Sequence, residues 1–289
     1  MQDSALITVG LPVALGIIMF GLGLSLTVAD FRRVAGTPRA VVVALTLQVL
    51  VLPSIALGLV LLFDLDPLLA VGVMLLAASP GGTTANLFSH LFRGDVALNI
   101  TLTAINSVLA AIWIPIVVNL AIGWFDAEGD LGLQWGKVAQ VVAIVLVPVG
   151  LGMLVRERTA TFAARADKPV RVFSIVVLVV VAVGAILGER EDLGGYLEQV
   201  GVLVAIFCLI SLSVGYLGAR VFRLDEKQSV ACAMEVGIHN TTIALTIALS
   251  VLDSTEVAIP AAVYSIAMYP LATAFGFAIT RRRAAQPAS

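Results

Sequence analysis

Residues 232 to 244 read Cys-Ala-Met-Glu-Val-Gly-Ile-His-Asn-Thr-Thr-Ile-Ala, an apolar run interrupted by Glu235, Gly237, His239 and Asn240. An ionisable group inside an apolar segment costs about 3 kcal/mol or more at membrane depth, so a carboxylate there calls for a cation or a function. A second interruption reads Ala-Ala-Ser-Pro-Gly-Gly-Thr-Thr-Ala-Asn over residues 77 to 86. Pro80 has no amide hydrogen, and Gly81 and Gly82 favour backbone outside the helix. Breaks of this kind leave unpaired amides at the N-terminus of the following half-helix, suited to an anion. They leave carbonyls at the C-terminus of the preceding half, suited to a cation. Near the breaks lie the oxygen-bearing side chains Gln48, Asn86, Asn99 and Thr103, each within an apolar run. A hard monovalent cation prefers such oxygens, and one carboxylate, Glu235, among neutral oxygens matches its charge.

Enzyme chemistry finds little support. Glu235 and His239 share a face only if their helix is continuous, and neither has a nucleophile or metal-ligand set at suitable spacing. The chain has no glycine-rich phosphate loop ending in Lys-Ser or Lys-Thr, which argues against a built-in ATPase. The reading is a non-enzyme without cofactors.

The elements that must position these residues are membrane helices. Of 289 residues, 60% are hydrophobic and 12% charged, a balance that points to an integral membrane protein. Nine apolar segments of spanning length cover about 5 to 29, 38 to 63, 68 to 92, 96 to 124, 134 to 156, 169 to 188, 195 to 222, 228 to 251 and 257 to 280. Leu6 to Val28 lacks a basic leader and reads as a first helix rather than a cleaved signal. Short loops make residues 1 to 289 one all-α membrane domain.

All but Lys137 and Arg190 of the 17 basic residues fall in the loops after segments one, three, five and seven or in the C-terminal tail. The alternate loops carry Asp64, Asp66, Asp126, Glu128, Asp130, Glu189, Glu191, Asp192, Glu198, Asp253 and Glu256. Basic loops stay cytoplasmic, so the N-terminus is outside and the C-terminus inside, which needs an odd number of spans. The broken segments, three and eight, then run in opposite directions, each followed by one further helix. That is the trace of an inverted repeat in a secondary transporter. The clusters Arg32 to Arg33 and Arg281 to Arg283 are topology signals rather than nucleic-acid sites. Cys208 and Cys232 read as apolar packing residues, not a disulfide framework.

Four stretches carry a resemblance: Leu-Gly-Ile-Ile-Met-Phe-Gly-Leu-Gly-Leu-Ser-Leu at 15 to 26, Ser-Pro-Gly-Gly-Thr-Thr-Ala-Asn at 79 to 86, Arg-Gly-Asp-Val-Ala-Leu at 93 to 98 and Glu-Val-Gly-Ile-His-Asn at 235 to 240. Together they resemble the bile acid:sodium symporter family over nearly the whole chain, in its bacterial nine-helix form. The resemblance implies a panel at about 5 to 29, 134 to 156 and 169 to 188, and a core at about 38 to 124 and 195 to 280 in which the broken helices cross. It implies a first sodium site from Asn86, Asn99, Thr103 and Glu235, with Ala85 where relatives can carry a serine. A second would use Gln48, Glu235 and the carbonyls of Val236 and Ile238, with His239 where the family commonly has a glutamine. Imidazole nitrogen is a poor ligand for a hard cation. His239 is therefore left to orient Glu235, contact substrate, or titrate and bring a proton.

The resemblance places the anionic end of a substrate near Gly82, Thr83, Thr84, Asn240, Thr241 and Thr242, without choosing among bile acids, pantoate and other carboxylates. The expectation is alternating-access symport of sodium and a small organic anion across the bacterial inner membrane. The ligands are the anion, the ion and the lipid bilayer, with no nucleic acid and no obligate protein partner. Proton-coupled or uncoupled transport, or a membrane sensor, remains the alternative. Asn106, close to one turn beyond Thr103, either extends the polar stripe or packs. His90 reads as solvated near the end of segment three, and Trp113, Trp124 and Trp135 as interface anchors or core fillers.

Overall fold

The computed structural model describes residues 11–127, 135–166, 169–170, 172–173, 176–177, 180 and 193–284. Among these, regular structure is helical throughout apart from one isolated two-residue β-bridge. The elements are α1 (Leu11–Ser25), α2 (Val28–Arg32), α3 (Pro38–Phe63), α4 (Pro67–Ala78), α5 (Thr83–Leu91), α6 (Val96–Trp124), α7 (Trp135–Arg158), α8 (Leu193–Val221), α9 (Glu226–Gly237), α10 (Thr241–Ser250) and α11 (Thr255–Ala284). Among the described residues, four stretches, Pro38–Phe63, Val96–Trp124, Gln199–Val221 and Thr255–Thr280, are long and apolar enough to cross a membrane. The expected segment at 169 to 188 lies largely outside the described residues.

Both expected breaks are present. The first separates α4 from α5 at residues 79 to 82, and the second separates α9 from α10 at residues 238 to 240. The element order around them repeats. Paired lengths are 12 and 12 residues for α4 and α9, 9 and 10 for α5 and α10, and 29 and 30 for α6 and α11. The turns repeat as well. The chain leaves α3 through Asp64 at φ 49° and leaves α8 through Arg223 at φ 56°. The next amide then reaches back five residues, Leu65 to Val60 and Leu224 to Ala219, the left-handed closure that satisfies a helix's last carbonyls.

Helix starts follow their sequences. Asp225 accepts from the Gln228 amide at 2.8 Å, Asp95 from Leu98 at 3.0 Å and Asn240 from Ile243 at 3.3 Å, each covering an amide that the helix cannot pair internally. In α3, residues Leu47–Val51 form a widened π turn. Pro53, one turn on, has no amide to give to Val49, which accounts for the local loss of the ordinary ladder. Gln48 rides on this turn, buried.

Close helix approach is made by glycines. α1 packs along α7, where a Cβ on Gly23 would collide with the Val149 carbonyl and one on Gly152 with the Phe20 carbonyl. Small residues permit such backbone contact inside a membrane. Gly152→Val will therefore lower the melting temperature in detergent, with a cost of about 1–3 kcal/mol for overpacking. An unchanged melting curve would contradict the tight α1–α7 seam. Leu62, Leu120 and Val221 face outward, as lipid-facing residues should. Trp124 is exposed near the end of α6 and His90 is exposed on α5, whereas Trp113 is half-buried. The Trp135 side chain lies outside the described set.

Candidate functional site

The two breaks meet. Gly81 and His239 pair as an antiparallel bridge, with the Gly82 amide donating to the Ile238 carbonyl at 3.0 Å and the Asn240 amide to the Pro80 carbonyl at 2.8 Å. Each break thus satisfies backbone groups that the other leaves open, as lipid-free unwound backbone requires. Side chains complete the pairing. The Ser79 carbonyl accepts from Gln48 Nε2 at 3.0 Å and faces His239 Nδ1 at 3.1 Å, and Tyr264 donates its hydroxyl to the Gly237 carbonyl at 2.8 Å.

Beneath the crossing lies Glu235, fully buried in the last turns of α9. Its Oε2 accepts from Asn99 Nδ2 and Thr103 Oγ1, both at 2.7 Å, and its Oε1 from Asn106 Nδ2 at 2.9 Å. The donors all come from the unbroken α6, where spacings of four and three residues align them on one face. No basic side chain pairs with Glu235 among the described residues. The carboxylate also presses on the other break, since a Cβ on Gly81 would collide with its carbon and both oxygens.

Gly81 is required here for space rather than for backbone freedom, because no described glycine has positive φ.

Several lone pairs around this carboxylate are left over. Asn86 Oδ1, Asn99 Oδ1, Asn106 Oδ1 and Gln48 Oε1 are buried with no hydrogen-bond partner among the described residues, as is His239 Nε2. Amide nitrogens turned onto a carboxylate leave amide oxygens facing a neighbouring cation, so the donor set around Glu235 fits a hard monovalent ion. A cluster of three or more His, Cys, Asp or Glu side chains is absent among the described residues, which disfavours a transition-metal centre.

A cavity of about 370 Å³ opens beside the crossing. Gly82, Thr83, Thr84, Asn240, Thr241 and Thr242 line it together with Asn86, Thr103 and His239. The amides of Thr83, Thr84 and Thr242 have no acceptor among the described residues, whereas Ala85 donates to Gly82 and Ile243 to Asn240. They lie in the first turns of α5 and α10, where partial positive charge gathers. The far wall is apolar: Ile18, Met19, Leu22 and Leu26 from the α1 side, and Met268 from α11.

The expected sodium residues divide into two groups. Asn99 and Thr103 contact Glu235, while Asn86 sits on α5 in the cavity wall without a bond to the carboxylate. Gln48 and His239 meet at the Ser79 carbonyl instead. Ile238 gives its carbonyl to Gly82, and Val236 lies one residue before the end of α9. Asn106, left open between stripe and packing in the sequence, is a direct partner of Glu235; its signal was the 99, 103, 106 spacing. Tyr264 and the Ser79 carbonyl were not anticipated, and a backbone carbonyl leaves no mark in a sequence.

Comparison with known proteins meets this geometry. A family model described as Sodium Bile acid symporter family matches residues 12–195. The chain belongs to the sodium bile acid symporter family. Within and around that family it is 29% identical over 260 residues to a Bacillus subtilis (strain 168) protein named uncharacterized sodium-dependent transporter YocS, covering 88% of this chain and 78% of that one. It is 28% identical to the probable sodium/metabolite cotransporter BASS1, chloroplastic, of Arabidopsis thaliana, over 88% of this chain and 62% of the plant protein, less than two thirds of its length. The human ileal sodium/bile acid cotransporter is 25% identical, over 84% of this chain and 70% of its own.

Proposed function

We propose that this family member is a multi-pass symporter of the bacterial inner membrane that couples sodium to a small organic anion. The observation that carries the reading is Glu235, a buried carboxylate without a basic partner among the described residues, under the crossing of two half-helix pairs. Sodium binds at Glu235 among the amide oxygens of Asn99 and Asn106 and the Thr103 hydroxyl, with Asn86 closing the site from α5. The anion's carboxylate takes the amides of Thr83, Thr84 and Thr242, with Thr83, Asn240 and Thr241 side chains beside it. Its apolar body lies against Met19, Leu22 and Met268. Positive helix starts thus face the anion and the carboxylate faces the cation.

Coupling follows from shared residues. Thr103 donates to Glu235 and also lines the anion cavity, as Asn86 does, so each ligand organises part of the other's site and raises its affinity. The matched lengths of α4 to α6 and α9 to α11 support a repeat, and the basic loops, read as cytoplasmic, make it an inverted one of nine spans with the N-terminus outside. That core rocks against a panel containing α1 and α7, and exchanges the cavity between the two sides of the membrane. The named sodium-dependent relatives support sodium as the coupling ion.

In proteoliposomes, an inward sodium gradient should drive uptake of a carboxylate identified by its thermal stabilisation of the protein. Equal uptake in sodium-free buffer under a pH gradient would instead establish proton coupling. Asn106→Ala should weaken sodium affinity by about 10-fold, the worth of one hydrogen bond to a charged group. An unchanged sodium dependence would place Asn106 outside the site.

A further inference from the structure

Two polar clusters lie behind the crossing, and only one can hold a cation well. The first contains Glu235 and its amide and hydroxyl neighbours. The second is built on carbonyls at the C-terminal ends of the broken helices, which carry partial negative charge and would ordinarily attract a cation. In this chain, protein donors already occupy three of them. The Ser79 carbonyl receives Gln48 Nε2 and His239 Nδ1, the Gly237 carbonyl receives the Tyr264 hydroxyl, and the Ile238 carbonyl receives the Gly82 amide.

A carbonyl has no proton to give, so the His239 contact requires hydrogen on Nδ1 and leaves a lone pair on Nε2. The ring is fixed in place. It stacks on Phe207 at 5.6 Å and 21° and meets Tyr264 edge-on at 5.4 Å and 71°. Of its side-chain atoms, the second cluster retains one unpaired oxygen, Gln48 Oε1, and one nitrogen, His239 Nε2. A hard cation needs several oxygens. It would also lack a countercharge, because Glu235 is the one fully buried carboxylate among the described residues, and the other acidic side chain in the interior, Asp30, is paired with Arg33 at 3.0 Å.

We infer that the His239 imidazole, donating to the Ser79 carbonyl, takes the place of a second cation, so that this carrier binds one sodium ion per chain and moves it with one monovalent anion without net charge. The inference rests on the sodium-coupled reading above. His239 acts as a positioning residue: it holds the crossing through Ser79 and limits the ion count.

Radiolabelled sodium binding to the purified full-length protein in nanodiscs, competed by unlabelled sodium against potassium, tests it. The wild type should bind one sodium per chain with a Hill slope of about 1. His239→Gln, which exchanges imidazole for an amide oxygen, should raise the count to two and steepen the slope. Two ions in the wild type overturn the inference and leave sodium coupling standing, whereas no saturable sodium binding overturns both. A folded His239→Gln protein that still binds one ion overturns the role given to the imidazole. The wild-type count decides the stoichiometry even if that variant does not fold.

Discussion

Glu235→Gln abolishes sodium-dependent uptake, by about 100-fold or more, while leaving the protein folded. In the proposed site the carboxylate is the cation's countercharge, and breaking a buried charge pair by removing one partner costs about 3–5 kcal/mol, more than 100-fold in affinity. The amide should still fit. Its oxygen can accept from Asn99 and Thr103, and Asn106 can turn its own oxygen toward the new NH₂ group, since an amide offers both donor and acceptor. Glu235→Ala is a harsher change, because it strands Asn99, Thr103 and Asn106 donors in the interior at about 1–3 kcal/mol for each group left unsatisfied. Comparing the two variants separates loss of charge from loss of structure. The measurement is initial uptake in proteoliposomes at matched protein content, and full sodium stimulation in Glu235→Gln would remove this residue from the ion site.

Gly81→Ala is expected to be nearly as damaging, although it adds a single methyl group. That methyl would fall on the Glu235 carboxylate, so the carboxylate must leave its three donors on α6 or the antiparallel bridge to His239 must open. Overpacking alone costs about 1–3 kcal/mol, and displacing a charged hydrogen-bond acceptor adds to it. The melting temperature should fall, and the sodium response should fall with it. Gly82→Ala provides the contrast. Its Cβ would meet Thr84 Oγ1 at 3.4 Å and the Asn240 Cα at 3.7 Å, close to ordinary contact, so thermal stability and the sodium response should survive. Equal effects at the two positions would show that the crossing does not depend on the approach of Glu235 to Gly81.

Much of this arrangement can be read from the residues alone. Pro80 and the Gly81–Gly82 pair mark one break and Gly237 and Asn240 the other, because each disturbs a helix by a local mechanism, and Glu235 stands out by its charge in an apolar run. Asn99 and Thr103 are recognisable as polar groups on one face of an apolar helix. What the sequence hides is tertiary. Gly81 looks like a residue chosen for backbone freedom, yet its φ is ordinary and its role is to leave room for a carboxylate 154 positions later in the chain. The Ser79 carbonyl becomes a shared acceptor only when α3 and the second break converge on it. That Met19 and Leu22 form a cavity wall shows only once α1 packs near α10. Asn86 lines the cavity wall with its Oδ1 unpaired and makes no direct hydrogen bond to Glu235, which the spacing of residues could not tell.

The proposed sodium ligand under the crossing is Glu235. A thermal-shift titration of the full-length protein with sodium chloride, against potassium chloride at equal ionic strength, tests it most directly, since a ligand that binds only the folded state raises its stability by mass action. The melting temperature should rise with sodium, should not rise with potassium, and should lose its sodium response in Glu235→Gln. Equal stabilisation by both salts, or a sodium response retained in Glu235→Gln, would contradict it.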